Sequence, residues 1–196
     1  MSHAISDDAL DTVLRTARSH SRWQDKPVSA ALLMAIYDLM RMGPTASNTC
    51  PARIVFVTSE AAKARLKPHL DAGNVAKTMS APATAIIGYD LDFPARMPIL
   101  FPSRPQLKDT FADPAARESV AFRNGTLQGA YFIIAARALG LDCGPMSGFD
   151  NAGVDAEFFA GTKIKSNFIC ALGYADPAGL YPRLPRLSFD AACAIV

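Results

Sequence analysis

Cysteine and histidine are scarce and scattered in this chain. The cysteines Cys50, Cys143, Cys170 and Cys193 form no C-x-x-C pair, and His3, His20 and His69 stand equally far apart. That spacing argues against a zinc site and a disulfide framework, and it suits reduced thiols in a cytoplasmic protein. Charge of one sign is lacking too: 20 Lys and Arg against 18 Asp and Glu leave a net +2. Such a balance gives no reason to expect nucleic acid or an anionic membrane surface as partner. No apolar run approaches the ~20 residues of a membrane-spanning helix. The segment from Met1 to Arg18 reads as an amphipathic helix carrying Asp7, Asp8 and Asp11, which is wrong for a secretory or import signal. There are no internal repeats and no low-complexity tracts.

What remains is a composition for folding. With 196 residues, 50% hydrophobic and 19% charged, the chain has the makings of one domain, residues 1–196, around a substantial core. Ser6 can cap a helix bearing Leu10, Val13, Leu14 and Ala17 on one face. Ser29 caps a second, with Val28 and Leu33 placed as a hydrophobic staple, and Gly43-Pro44 stops it. Strands are expected at Ile54–Thr58, Thr84–Tyr89 and Asn167–Leu172, where β-branched and apolar residues cluster. Ser59 opens a further helix, and Asn74–Ser80 reads as one or two helical turns before Pro82. From Leu91 to Pro114 the pattern dissolves into a long loop holding Pro94, Pro98, Pro102, Pro105 and Pro114. Arg117–Leu139 is a helix apolar nearly all round, and Val154–Phe159 a short one. The tail from Asp176 to Pro185 is extended and proline-rich, too poor in core residues to pack alone. Short strands among more abundant helices give an α+β domain.

The run Gly144-Pro145-Met146-Ser147-Gly148-Phe149-Asp150 is expected to be an open turn that exposes backbone N–H groups, with Asp150 as N-cap of the next helical turn. Taken alone, such a turn only redirects the chain. Three further clusters accompany it: Arg18-Ser19-His20-Ser21-Arg22-Trp23, then Gly43-Pro44-Thr45-Ala46-Ser47-Asn48 before a strand, then Asn74 and Lys77 on one helix face. Arg183 and Arg186 complete the order.

In that order the clusters resemble the FMN-dependent nitroreductase family over essentially the whole chain. The stretches from Gly43 to Phe56, Ala121 to Phe149 and Leu184 to Phe189 are similar to its malonic semialdehyde reductase branch, the 3-hydroxypropionate dehydrogenases of pyrimidine utilisation. The resemblance implies a nitroreductase-like fold, with a mostly antiparallel central sheet flanked by helices, in an intertwined homodimer. It implies FMN as cofactor and NADPH or NADH as co-substrate. Arg18, Ser19, His20 and Arg22, with Arg183 and Arg186, match the positions around the flavin phosphate, a dianion that needs cationic donors and hydroxyls. Arg18 and Arg22 stand one residue beyond the family's usual basic positions. Thr45, Ser47, Asn48, Asn74 and Lys77 match residues facing the ring, where a fixed cation stabilises the reduced form. Pro145, Met146, Ser147 and Gly148 match the turn packed against it, with Ser147 in place of a common glutamate. Cys50-Pro51-Ala52 replaces the family's Gln-Pro-Trp.

The activity so implied is ping-pong hydride transfer from NAD(P)H to a small acceptor, with no side-chain nucleophile. In the branch reading the acceptor is malonic semialdehyde, whose carboxylate calls for an arginine; Arg53, Arg96 and Arg104 are the candidates. A general nitro or quinone reductase and a non-catalytic flavin-binding protein are the alternatives. No metal is expected. No G-x-G-x-x-G fingerprint distinguishes NADPH from NADH.

Overall fold

Strands β1 (Ala52–Val57), β2 (Ala83–Asp90), β3 (Asp142–Met146) and β4 (Ile164–Gly173) form one antiparallel sheet in the order β1-β2-β4-β3. This is a computed structural model, and it describes residues 3–196; Met1 and Ser2, the start of the expected first helix, lie outside them. β2 is buried along its entire length because neighbours flank it and helices cover both faces. Alternation sets its sides: Ala83, Ala85 and Ile87 join one core and Ile86 the other.

The helices are α1 (Asp7–Leu10, continued by a π-helical turn to Arg15), α2 (Ala30–Met40), α3 (Glu60–Leu66) and α4 (Ala72–Ser80). They are followed by α5 (Met97–Leu100), α6 (Pro114–Ala138), α7 (Asn151–Phe158) and α8 (Phe189–Ala192). Local chemistry starts several of them. Ser6, Ser29 and Ser59 each accept the backbone N–H three residues on, as N-caps do. α2 and α6 cover one face through Leu33, Ile36, Met40 and Phe132; Leu66, Leu70, Phe149 and Phe159 pack on the other. α6 settles unusually low. A Cβ on Gly129 would lie 2.4 Å from the Phe168 ring, and one on Gly125 2.8 Å from Tyr89 Cβ, so only glycine admits this approach.

Three expectations need correction. Gly144, Pro145 and Met146 do not form an open turn: they belong to β3, an edge strand whose outer side can accept a proline. Asp150 takes the N-cap position of α7 with an extended backbone, but its side chain caps nothing. The segment after Leu91 is no structureless loop. It folds into the turn Phe93–Arg96, α5 and the turn Pro105–Phe111, around Phe93, Met97, Tyr89 and Ala121. The tail is also partly anchored on its own chain: Asp176 N donates to Arg22 O at 3.0 Å and Arg183 Nη2 to Ala17 O at 2.8 Å. Beyond Arg183 every residue is exposed.

Candidate functional site

The segment after α1 runs beside the edge strand β3. Ser19 pairs with Cys143 in a parallel bridge, and His20 N donates to Cys143 O at 3.0 Å. A cavity of about 960 Å³ opens next to it, lined by Arg15, Arg18, Ser19, Arg137, Arg183 and Arg186. Backbone carbonyls fix these side chains: Arg18 donates to Tyr181 O, and Arg137 to Val13 O at 3.0 Å and Arg18 O at 3.3 Å. Among the described residues, Arg18, Arg137, Arg183 and Arg186 have no carboxylate partner. Four cations without counter-ions around one basin form a site for a multiply charged anion.

Arg22 stays outside this basin, its methylenes against Gly179. His20 is nearly buried, 3.3 Å from Asp142 and tilted against Trp23. Burial is the chief influence and holds its pKa below the usual 6.5; Asp142 raises it, while Arg18 and Arg137 lower it. Arg137 was hidden from sequence reasoning inside a helix. Its one signal is a cation in the last turn, where carbonyls lack partners.

A second group forms where α4 meets the end of β3. Asn74 Nδ2 donates to Gly148 O at 2.7 Å, and Asp71 N to the same oxygen at 3.2 Å. A Cβ on Gly148 would stand 2.6 Å from Asp71 Oδ2 and 2.7 Å from Asn74 Nδ2, so any larger residue must displace one of those side chains. Lys77 lies one helical turn beyond Asn74, and its carbonyl accepts Trp23 Nε1 at 2.9 Å. Its half-buried ammonium has no acidic partner among the described residues, and desolvation lowers its pKa. Pro145, Met146 and Ser147 face Thr126, Ala130 and Ile133 of α6 across a cavity of about 350 Å³.

The third group precedes β1. Ser47, Asn48 and Cys50 hold φ of 49°, 55° and 40°, left-handed values that cost a non-glycine residue energy. Surrounding bonds enforce the shape: Ala46 N donates to buried Asn124 Oδ1 at 2.8 Å, Asn48 Nδ2 to Leu100 O at 2.7 Å, and Cys50 N to Thr45 Oγ1 at 3.2 Å. Just beyond, Arg53 and Arg96 line a common cavity; exposed Arg104 does not.

These groups do not converge within one chain. The third leads into β1 at one sheet edge, whereas the second leaves β3 at the other, about 14 Å away at three strand spacings. α6 lies between them. At about 100° per residue, Asn124 and Gln128, which hold Ala46 N and Ala52 N, point away from the flank of Thr126, Ala130 and Ile133.

An antiparallel sheet layered by helices, with a cationic basin at one edge and a strained turn at the other, is the setting for the comparisons with known proteins. The sequence pattern of the Nitroreductase family matches residues 14–174, and the chain belongs to that family. It is 62% identical over 196 residues, all of both chains, to a Stenotrophomonas maltophilia (strain K279a) protein named "Putative NADH dehydrogenase/NAD(P)H nitroreductase". A Burkholderia lata protein with that name is 59% identical over 186 residues, 95% of each chain. In three dimensions the chain is similar to a protein from Exiguobacterium sibiricum 255-15 described as a "putative nitroreductase in complex with FMN". The TM-score there is 0.87 at 18% identity, with all of both chains covered.

Proposed function

We propose that this chain is an NAD(P)H-dependent FMN oxidoreductase that passes electron pairs to nitro and quinone acceptors. The observation carrying this reading is the basin of arginines without counter-ions along the same edge strand whose far end turns at Gly148 tightly against α4. The residues fit the cofactor. Arg18, Ser19, Arg137, Arg183 and Arg186 supply the charge and donors a terminal phosphate dianion needs. Pro145–Gly148 and α4 offer a backbone-lined wall for a flat ring. When bound, FMN supplies a carrier that takes hydride from NAD(P)H and releases it to the acceptor.

The protein's part is binding, orientation and charge. Lys77, which has no acidic partner among the described residues, would supply positive charge to a reduced, anionic ring bound beside it. Asn74 fixes the Gly148 carbonyl and so the height of the wall. Thr45, Ser47 and Asn48 belong to the same site if a second copy contributes them, because in their own chain they lie at the opposite sheet edge from the turn that Asn74 and Lys77 adjoin. A symmetric homodimer follows, consistent with Phe122, Leu127 and Ile134 exposed along α6. The arm beyond Arg186, with exposed Leu187 and Phe189, is placed across the partner. A single domain spanning residues 1–196 and a cytoplasmic setting complete the reading; among the described residues no helix is long and apolar enough to cross a membrane.

Malonic semialdehyde is the specific alternative acceptor, favoured by Arg53 and Arg96 in one cavity. The deciding experiment takes purified, FMN-loaded protein. The visible spectrum is recorded, NADH or NADPH is added without oxygen, and turnover is measured with nitrofurazone, menadione and malonic semialdehyde. Bleaching followed by faster turnover of the first two supports the reading. Faster turnover of the aldehyde transfers the assignment to the alternative, and flavin that NAD(P)H leaves oxidised removes both.

A further inference from the structure

The geometry points to a carboxylate subsite, made by Arg53 and Arg96, for the electron-accepting substrate. It rests on the flavin reading above and adds a preference, among nitro and quinone acceptors, for those that bear a carboxylate. The cavity, about 390 Å³, is walled by Ile54, Ile99, Leu100 and Tyr37, with the two arginines and Cys50. Its apolar walls suit a short hydrocarbon or ring, and its charge suits one anionic head.

Arg53 is already held in place. Nη1 donates to Cys50 O at 3.0 Å and Ala52 O at 2.8 Å, and Nη2 meets Asp90 Oδ2 at 2.9 Å. A guanidinium has five N–H donors, so Nε–H and one Nη2–H remain for a ligand. A cation immobilised beforehand loses little entropy on binding. Asp90 offsets its charge, and both carboxylate oxygens of Asp90 are engaged, Oδ1 by Asp92 N at 2.7 Å. Arg96 is therefore the unopposed charge: it forms no ion pair among the described residues. The net charge of this set is one positive, matched to a monoanion.

The cavity also adjoins the strained turn through one side chain. Asn48 donates to Leu100 O at 2.7 Å and accepts from Cys50 Sγ at 3.2 Å, and both partners are cavity walls. A carboxylate on Arg53 and Arg96 thus sits one residue layer from the turn assigned to the ring.

The test compares 4-nitrobenzoate with 4-nitrobenzamide, of nearly the same shape but neutral, using FMN-loaded enzyme and NADH. The expected result is a kcat/KM ratio favouring the acid, with benzoate a competitive inhibitor. Arg96→Gln lowers that ratio about tenfold, mainly through KM, the scale of one charge-assisted hydrogen bond, and Arg96→Lys restores part of it. A ratio near one in the unaltered enzyme, or one unmoved by Arg96→Gln, overturns the subsite while the flavin reading stands. Should the protein reduce neither compound, the flavin reading fails instead. Calorimetric titration with benzoate and benzamide then decides the cavity: benzoate binding weakened in Arg96→Gln supports it, and equal binding of the two overturns it.

Discussion

Asn74 Nδ2 and Gly148 O lie 2.7 Å apart, and this bond joins the two segments that can wall a flat ligand beside Lys77. The backbone of Gly148 presses so closely on α4 that a methyl group there must displace Asn74 or Asp71. Gly148→Ala is therefore expected to lose flavin, and to lose stability as well, because buried Phe149 beside the turn packs in one core and bridges to Leu70. Flavin stoichiometry after gel filtration, set beside a thermal melt, reads the two effects separately.

Arg186 and Arg137 face the same basin but carry different loads. Arg186 bonds only to the carbonyls of Leu184 and Pro185 in its own exposed arm. Arg186→Ala is expected to weaken FMN binding about tenfold, as loss of one cationic donor does, with the melting temperature unchanged. Arg137 also ties Val13 O and Arg18 O to α6. Arg137→Ala should lower both FMN affinity and melting temperature. Fluorescence titration with FMN and calorimetry of the flavin-free protein check the difference.

His20 gives a pH dependence whose sign is fixed by burial. Its folded pKa lies below 6.5, so between that value and 6.5 the unfolded chain binds more protons than the native one. Its contribution to stability is complete above about pH 6.5 and is lost as pH falls through the folded pKa. His20→Gln abolishes this component. The melting-temperature difference between the unaltered protein and His20→Gln should thus move against the unaltered protein on acidification from about pH 8 to about pH 5. Parallel curves would exclude the assignment.

Gly129 tests how closely α6 must approach the sheet. Its added methyl would meet the Phe168 ring at 2.4 Å, so the ring must shift toward the cavity it lines beside Pro145 and Met146. Gly129→Ala should cost about 1–3 kcal/mol through overpacking, despite alanine's better helix propensity. Urea denaturation at equilibrium measures it, and a stabilised variant would contradict the packing described.

Legibility in the sequence followed the range of the forces involved. The caps at Ser6, Ser29 and Ser59 were readable because cap and helix are neighbours in the chain. β2 and β4 were readable because burial on both faces imposes a continuous apolar run. Residues Gly144 to Met146 were not, since glycine and proline punctuate most strands and only an edge position permits them here. The segment after Leu91 hides its order because its core is assembled from distant residues: Phe93 meets Phe111 at 4.9 Å between ring centroids, and Ala121 comes from α6. Asn74 and Gly148 do meet, with Lys77 one turn away, while the division of the candidate residues between two sheet edges lay beyond any linear pattern. That division depends on strand order.

The placement of Asn48 and Lys77 by opposite edges of the sheet has a genetic consequence. In the proposed pair each clasp borrows its lid from the other protomer. One allele damaged at Asn48 and another damaged at Lys77 are each inert alone. Co-expressed, they assemble hybrids in which both lesions fall in one clasp and the other is whole. Activity then returns from two dead parents, a rescue that two alleles damaged at the same edge cannot give.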